Sequence, residues 1–183
     1  MIDTVALSGK PETAVSDGAG KVFVNIENKS AISEIDMKSL KVENTWPIAP
    51  GESPSGLSID RKTKRLFAGC DNKMLVVLNA ENGSVVSTPA IGDGCDGTAF
   101  DPALNYVYSS NGEGTLTILK EISKDKFEVV ENVSTKKGAR TLAVDHETHT
   151  VYLPTANFKP AENGERRPPM VPGSFQVLVV KKR

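Results

Sequence analysis

The sequence predicts an all-β protein, a β-propeller of four-stranded antiparallel blades with about four blades in the chain. Three observations carry this expectation. First, one pattern recurs four times: Ala14-Val15-Ser16-Asp17 with Lys21-Val22-Phe23-Val24, Leu57-Ser58-Ile59-Asp60 with Arg65-Leu66-Phe67-Ala68, Thr98-Ala99-Phe100-Asp101 with Tyr106-Val107-Tyr108-Ser109, and Leu142-Ala143-Val144-Asp145 with Thr150-Val151-Tyr152-Leu153. Second, its aspartates stand 43, 41 and 44 residues apart, and a period of roughly 40–45 residues built of short strands marks a propeller blade. Third, the third apolar run of each repeat is apolar at two positions three apart: Ile32 and Ile35, Leu75 and Leu78, Leu116 and Leu119, Val177 and Val180. In a strand such positions face opposite ways, so the strand is expected to be covered on both sides, as in a sheet held between two others.

The elements follow in chain order. Asp3 to Leu7 precedes the first repeat and stands where an outermost strand belongs. Repeat two is the clearest. Gly56 to Asp60 is its inner strand, and Asp60 to Lys64 turns into a second strand, Arg65 to Cys70. Asp71-Asn72-Lys73 then turns into a third, Met74 to Asn79. Asn82-Gly83 suits the positive φ of a tight hairpin, and Ser84 to Ile91 is the outer strand. Connections of two to five residues imply antiparallel neighbours. Repeat four ends at its third strand, Phe175 to Val180, with no outer strand of its own. A helical reading fails, because β-branched residues dominate and Gly or Pro interrupts the longer windows. An immunoglobulin-type sandwich shares the strand spacing but does not require a fourfold repeat.

Size and composition narrow the function. The 183 residues suit a single domain, 1–183. A net charge of −1 offers no basic field for nucleic acid, and no apolar run approaches the roughly 18–20 residues of a membrane span. The opening residues, Met1 to Lys10, lack the basic region and apolar core of a signal peptide. On that reading the chain stays where it is made.

Several of these segments resemble the YVTN family of β-propeller repeats, which includes the YncE-like bacterial proteins. The resemblance rests on Pro54-Ser55-Gly56-Leu57-Ser58-Ile59-Asp60, Arg65-Leu66-Phe67-Ala68, Val85-Val86-Ser87-Thr88-Pro89-Ala90-Ile91-Gly92 and Val107-Tyr108-Ser109-Ser110-Asn111. It covers nearly the whole chain. It implies the fold and a periplasmic or secreted home, and it is almost silent on function. Members of that family carry about seven or more blades, so this chain resembles the C-terminal half of a longer propeller.

An open arc exposes two apolar faces, and two closures are conceivable. One chain closes a four-bladed ring, with Asp3 to Leu7 completing the last blade. Alternatively, two chains form a homodimeric eight-bladed ring, each lending that segment to the other. The wider ring suits these blades better, and the dimer is the expectation.

Counting five residues back from each repeat aspartate gives Glu12, Ser55, Asp96 and Arg140, expected at equivalent places around one mouth of the central channel. Such a ring suits a small polar ligand or a hard cation. Their plain reading is as solvated loop residues. The stretch from Asn157 to Ser174 replaces a short turn of the other blades with a proline-rich insertion. Its Arg166 and Arg167 complete the candidate ligand-binding set. Cys70 and Cys95 are expected to be free and partly buried, although a disulfide or a shared metal is conceivable. His146 and His149 fall in the turn after Asp145, on the opposite face, and read as surface turn residues. The repeat aspartates themselves read as turn formers that accept backbone hydrogen bonds two residues on.

No catalytic motif is present. The expected function is a noncatalytic module binding an unknown small molecule or protein. The alternative is a metal-dependent propeller enzyme, lactonase- or lyase-like, with a cation held at the channel mouth by Glu12 or Asp96. The sequence specifies no cofactor.

Overall fold

The computed structural model describes residues 3–160 and 168–181. Among these residues fifteen strands form four antiparallel sheets, each a meander in chain order. Blade 1 is β1 (Pro11–Ser16), β2 (Lys21–Ile26), β3 (Ala31–Asp36) and β4 (Lys41–Pro47). Blade 2 is β5 (Pro54–Asp60), β6 (Arg65–Cys70), β7 (Leu75–Asn79) and β8 (Val85–Ser87). Blade 3 is β9 (Cys95–Asp101), β10 (Tyr106–Asn111), β11 (Thr115–Ser123) and β12 (Lys126–Ser134). Blade 4 has three strands, β13 (Ala143–Asp145), β14 (Thr150–Thr155) and β15 (Gln176–Val180). The protein is an all-β propeller of four blades, as the repeats predict. In the second repeat the inner strand begins two residues earlier than expected, at Pro54. The outer strand is shorter, with Met74–Ala90 pairing as an isolated bridge beyond it.

The repeat aspartates close the turn between the first two strands of every blade. Asp17 accepts from the amides of Ala19 and Lys21, Asp60 from Lys62, Asp101 from Ala103 and Leu104, and Asp145 from Glu147 and Thr148. Each carboxylate does for the turn what a backbone carbonyl would do, which explains the fourfold recurrence without any chemistry. At the far end of blade 2, Gly83 adopts φ 71°. A Cβ there would lie 2.1 Å from the ring of Trp46, reaching across from blade 1, so the hairpin glycine also makes room for a neighbour.

Three apolar interfaces join successive blades. Between blades 1 and 2 lie Phe23, Ile32, Trp46, Leu57, Leu66, Ala68 and Leu78. Between blades 2 and 3, Phe67 packs with Leu75, Val77, Val107 and Leu119, stacking on Phe100 at 5.4 Å and meeting Phe127 edge-on at 5.8 Å. Between blades 3 and 4, Tyr108, Leu116 and Ile118 meet Val151, Leu153, Leu178 and Val180. The inner strands β1, β5, β9 and β13 contact one another in sequence.

Among the described residues, no strand of blade 1 packs on a strand of blade 4 as successive blades pack on one another. The outward face of blade 1, Val22, Val24, Ile26 and Ile35, is covered by Val5 and Leu7 of the N-terminal segment. Among the described residues that segment pairs with no strand, and β15 has no outer neighbour. Of the two conceivable closures, the one in which this segment completes the last blade of its own chain is not formed: the segment lies on blade 1. The two-sided burial expected of every third strand likewise holds for blades 1 to 3 and stops at blade 4. Ile32, Leu75 and Leu116 are fully buried, whereas their counterpart Val177 is 48% exposed, because no described element packs on that face.

Candidate functional site

At one mouth of the channel the inner strands begin with irregularities. The register of β5 on β6 shifts between Pro54 and Gly56, and that of β9 on β10 shifts across Asp96, between its pairs Cys95–Asn111 and Gly97–Ser110. A bulge turns the extra residue out of the ladder, here Ser55 and Asp96. The Ser55 hydroxyl donates to Asp96 Oδ1 at 3.2 Å, and Arg140 Nε lies 3.3 Å from Asp96 Oδ2. Three of the four candidates, from blades 2, 3 and 4, thus form one chain of contacts. Glu12 also stands at a bulge, between Pro11 and Ala14, but it is paired with Lys10 at 2.7 Å. Lys10 in turn bonds Glu27. Arg166 and Arg167 lie outside the described residues.

Buried polar side chains hold this mouth together. Asn25 donates to the carbonyls of Ser55 and Gly56 at 3.1 and 3.0 Å. Ser110 donates to the carbonyl of Arg140 at 2.5 Å and to that of Gly97 at 3.2 Å. Asn25 and Ser110 occupy the same position in β2 and β10, and each ties its blade to the start of the next inner strand. The run Ser109-Ser110-Asn111 is wholly buried, and Asn111 donates to Thr115 and Thr117 at 3.0 Å each. Every buried hydroxyl and amide in that run therefore has a partner.

Beside Arg140 opens a cleft of about 810 Å³, lined by Gly94, Gly112, Lys136, Lys137, Gly138, Ala156, Asn157, Phe158 and Pro168. Lys136 donates to Asn157 Oδ1. The described ends of the proline-rich insertion form its outer wall. Lys159 N donates to Pro169 O, Val171 N donates to Asn157 O, and Phe158 bridges to Met170. Lys136, Lys137 and Phe158 were not legible as site residues. The only signal was the Lys-Lys-Gly run just before Arg140, which passes for an ordinary solvated turn. Among the described residues the cleft gathers three cations beside an aromatic ring and a proline, with no carboxylate in its lining.

Cys70 and Cys95 are free and fully buried. Burial pushes both thiols up to about 12, so neither is a nucleophile at neutral pH. The Cys95 sulfur instead accepts a hydrogen bond from Ser109 at 3.1 Å. A thiol-specific reagent at pH 8 is expected to modify neither residue in the folded protein and both after denaturation, read by absorbance of the released chromophore. Among the described residues, no three His, Cys, Asp or Glu side chains converge as ion ligands. His149 departs from its expected role. It is not a bare turn residue: its Nδ1 lies 2.7 Å from the fully buried Asp101 Oδ2, bridging blade 4 to blade 3.

No family model matches the chain, and no curated protein does. Solved structures do. Hydrazine synthase of Kuenenia stuttgartiensis superposes with a TM-score of 0.74 at 12% identity, over 93% of this chain and 46% of that one. The WD40 domain of Toxoplasma gondii coronin superposes with a TM-score of 0.65 at 15% identity, over 81% of this chain and 40% of that one. At such identities the likeness is one of fold. The chain spans less than half the length of either structure.

Proposed function

We propose that the chain is a noncatalytic binding module of YVTN type whose ligand is a small organic anion with an apolar flank. The observation that carries this reading is the cleft at the channel mouth, where Lys136, Lys137 and Arg140 stand beside Phe158 and Pro168. Cations fix the anionic group and the aromatic wall takes the flank, the usual division of labour in a ligand pocket. Asp96 holds Arg140 in place and Ser55 steadies Asp96, so these two act as positioning residues. No observation favours a metal-dependent enzyme: Asp96 is engaged by Arg140 and Glu12 by Lys10.

Isothermal titration with benzoate, and with inorganic phosphate for comparison, tests the reading. Benzoate is expected to bind more tightly than phosphate. Lys137→Ala and Arg140→Ala are each expected to weaken it about tenfold, the worth of one charge-assisted hydrogen bond. Unchanged affinity in both variants, with the fold intact, removes the cleft from consideration.

A further inference from the structure

The register makes the blades interchangeable position by position. Asn25, Gly69, Ser110 and Pro154 hold one place, next to last in β2, β6, β10 and β14. Two residues on, the first three blades each donate an amide to the loop that enters the same blade. Glu27 N donates to Lys10 O at 2.9 Å, Asp71 N to Glu52 O at 3.1 Å, and Gly112 N to Gly94 O at 2.8 Å. Alternate residues of a strand point their backbone groups to the same side. The amides of Asn25, Gly69 and Ser110 therefore face the inner strand as well. In blade 4 that place belongs to a proline, which has no N–H to give.

The inner ladder of blade 4 stops short of that proline. Gly69 pairs with Gly56 and Ser110 with Gly97. In blade 4 the inner strand pairs only from Ala143 to Asp145, and Thr141, the counterpart of those two inner glycines, lies outside the ladder. The loop ahead of β13 turns to the preceding blade instead, Gly138 N donating to Gly112 O at 2.9 Å. The bond that would match the other three, from Ala156 N to Gly138 O, is not formed. A row of asparagines reports the same gap. Asn28 and Asn72 accept from the loop amides of Lys10 and Glu52 at 2.8 and 3.1 Å. Their counterpart Asn157 accepts from the end of a side chain, Lys136 Nζ, across a space that the backbone does not close. Lys136, Gly138, Ala156 and Asn157 all line the cleft, so the cleft is the unzipped seam of blade 4.

We infer that Pro154 is the positioning residue that opens this site, and that a ligand carboxylate completes the seam. One carboxylate oxygen accepts from Ala156 N–H, as a loop carbonyl does in blades 1 to 3, and the other meets Lys137. Ala156 is 3% exposed, and a buried amide calls for an acceptor. Among the three cations, Lys136 is tied to Asn157 and Arg140 to Asp96, whereas Lys137 is exposed and able to reach an anion at the amide. This inference rests on the anion-binding reading above. It adds the backbone group that takes the anion and the residue that leaves that group open.

Amide hydrogen exchange of the whole chain, read by NMR, tests it. In the ligand-free native protein Ala156 is expected to exchange about tenfold faster than its counterparts Glu27, Asp71 and Gly112, and saturating benzoate is expected to slow it. Pro154→Ser installs the residue that blade 3 carries at this place. It is expected to slow Ala156 and to weaken benzoate about tenfold, with an unchanged circular dichroism spectrum. Lys137→Ala is expected to weaken benzoate without slowing Ala156 in the free protein. The first comparison needs no variant, so it stands even where Pro154→Ser does not fold. Three results overturn the inference: an Ala156 amide as slow as its counterparts in the free native chain, a folded Pro154→Ser variant with native exchange and native affinity, or benzoate bound without protecting Ala156. Each of these leaves benzoate binding itself intact and so spares the anion reading. A native chain that binds no benzoate overturns that reading and the carboxylate step with it.

Discussion

Gly56→Val is expected to destabilise the fold by about 3 kcal/mol, the upper part of the range for overpacking a filled site. The reason is backbone against backbone. A Cβ on Gly56 would stand 2.6 Å from the amide nitrogen of Thr98 and 2.7 Å from the carbonyl carbon of Gly97, both in the inner strand of the next blade. Neither atom belongs to a side chain that can swing away. The carbonyl of Gly56 also accepts from the buried Asn25, so β5 is held between β9 and β2. Relief of the clash requires the inner strands of blades 2 and 3 to separate, which opens the interface around Phe67. Urea unfolding followed by circular dichroism reads the effect as a lower midpoint with an unchanged slope. A midpoint equal to that of the native chain would mean that β5 and β9 do not approach so closely.

Arg65→Met is expected to cost about as much, roughly 3 kcal/mol, by a different route. Arg65 is 5% exposed, and its guanidinium spends its donors on blade 3. Nε donates to the carbonyl of Lys124 at 2.6 Å and Nη2 to Asp125 at 3.0 Å, while Nη1 reaches the carbonyls of Thr63 and Lys64. Buried close by are the carboxyls of Asp60 and Glu121. Burial, with Asp60 adding to it, pushes the Glu121 carboxyl up from 4.5 to about 7, while a hydrogen bond from Thr63 and, less, Arg65 pull the other way. The sign follows. Between those two values the folded chain keeps a proton that the unfolded chain has released, so raising the pH through that window removes stability. In Arg65→Met the loss extends to higher pH, because Glu121 has lost its cation. Glu121→Gln removes its share of the slope. Thermal unfolding from pH 4.5 to 8 measures all three, and a flat native profile would contradict the buried, proton-holding Glu121.

The architecture was legible because it is written in the sequence four times. Asp17, Asp60, Asp101 and Asp145 each bond their own turn, a contact within three or four residues that needs no knowledge of the fold. Repetition also put Ser55, Asp96 and Arg140 at equivalent strand starts, where the structure joins them. What stayed hidden depends on contacts between blades. Arg65 looks like any turn-flanking arginine until blade 3 is beside it. His149 looks like a surface turn residue until Asp101 is brought up from 48 positions away. The cleft at Phe158 needs the described ends of an irregular insertion laid beside a lysine pair, and no period predicts that. The N-terminal segment was read as an outer strand by its place in the repeat, but among the described residues it pairs with no strand. Its resting position on blade 1 is set by the apolar face it covers, which local sequence does not specify.

The interchangeable register has a bearing on how such genes change. Phe23, Phe67, Tyr108 and Tyr152 hold one place in four copies, each opposite the third strand of its own sheet. A tandem duplication or deletion of one whole unit therefore creates no new kind of junction. Copy number can drift by integers while every surviving seam keeps its chemistry, and selection is left to act on how the circle is made whole.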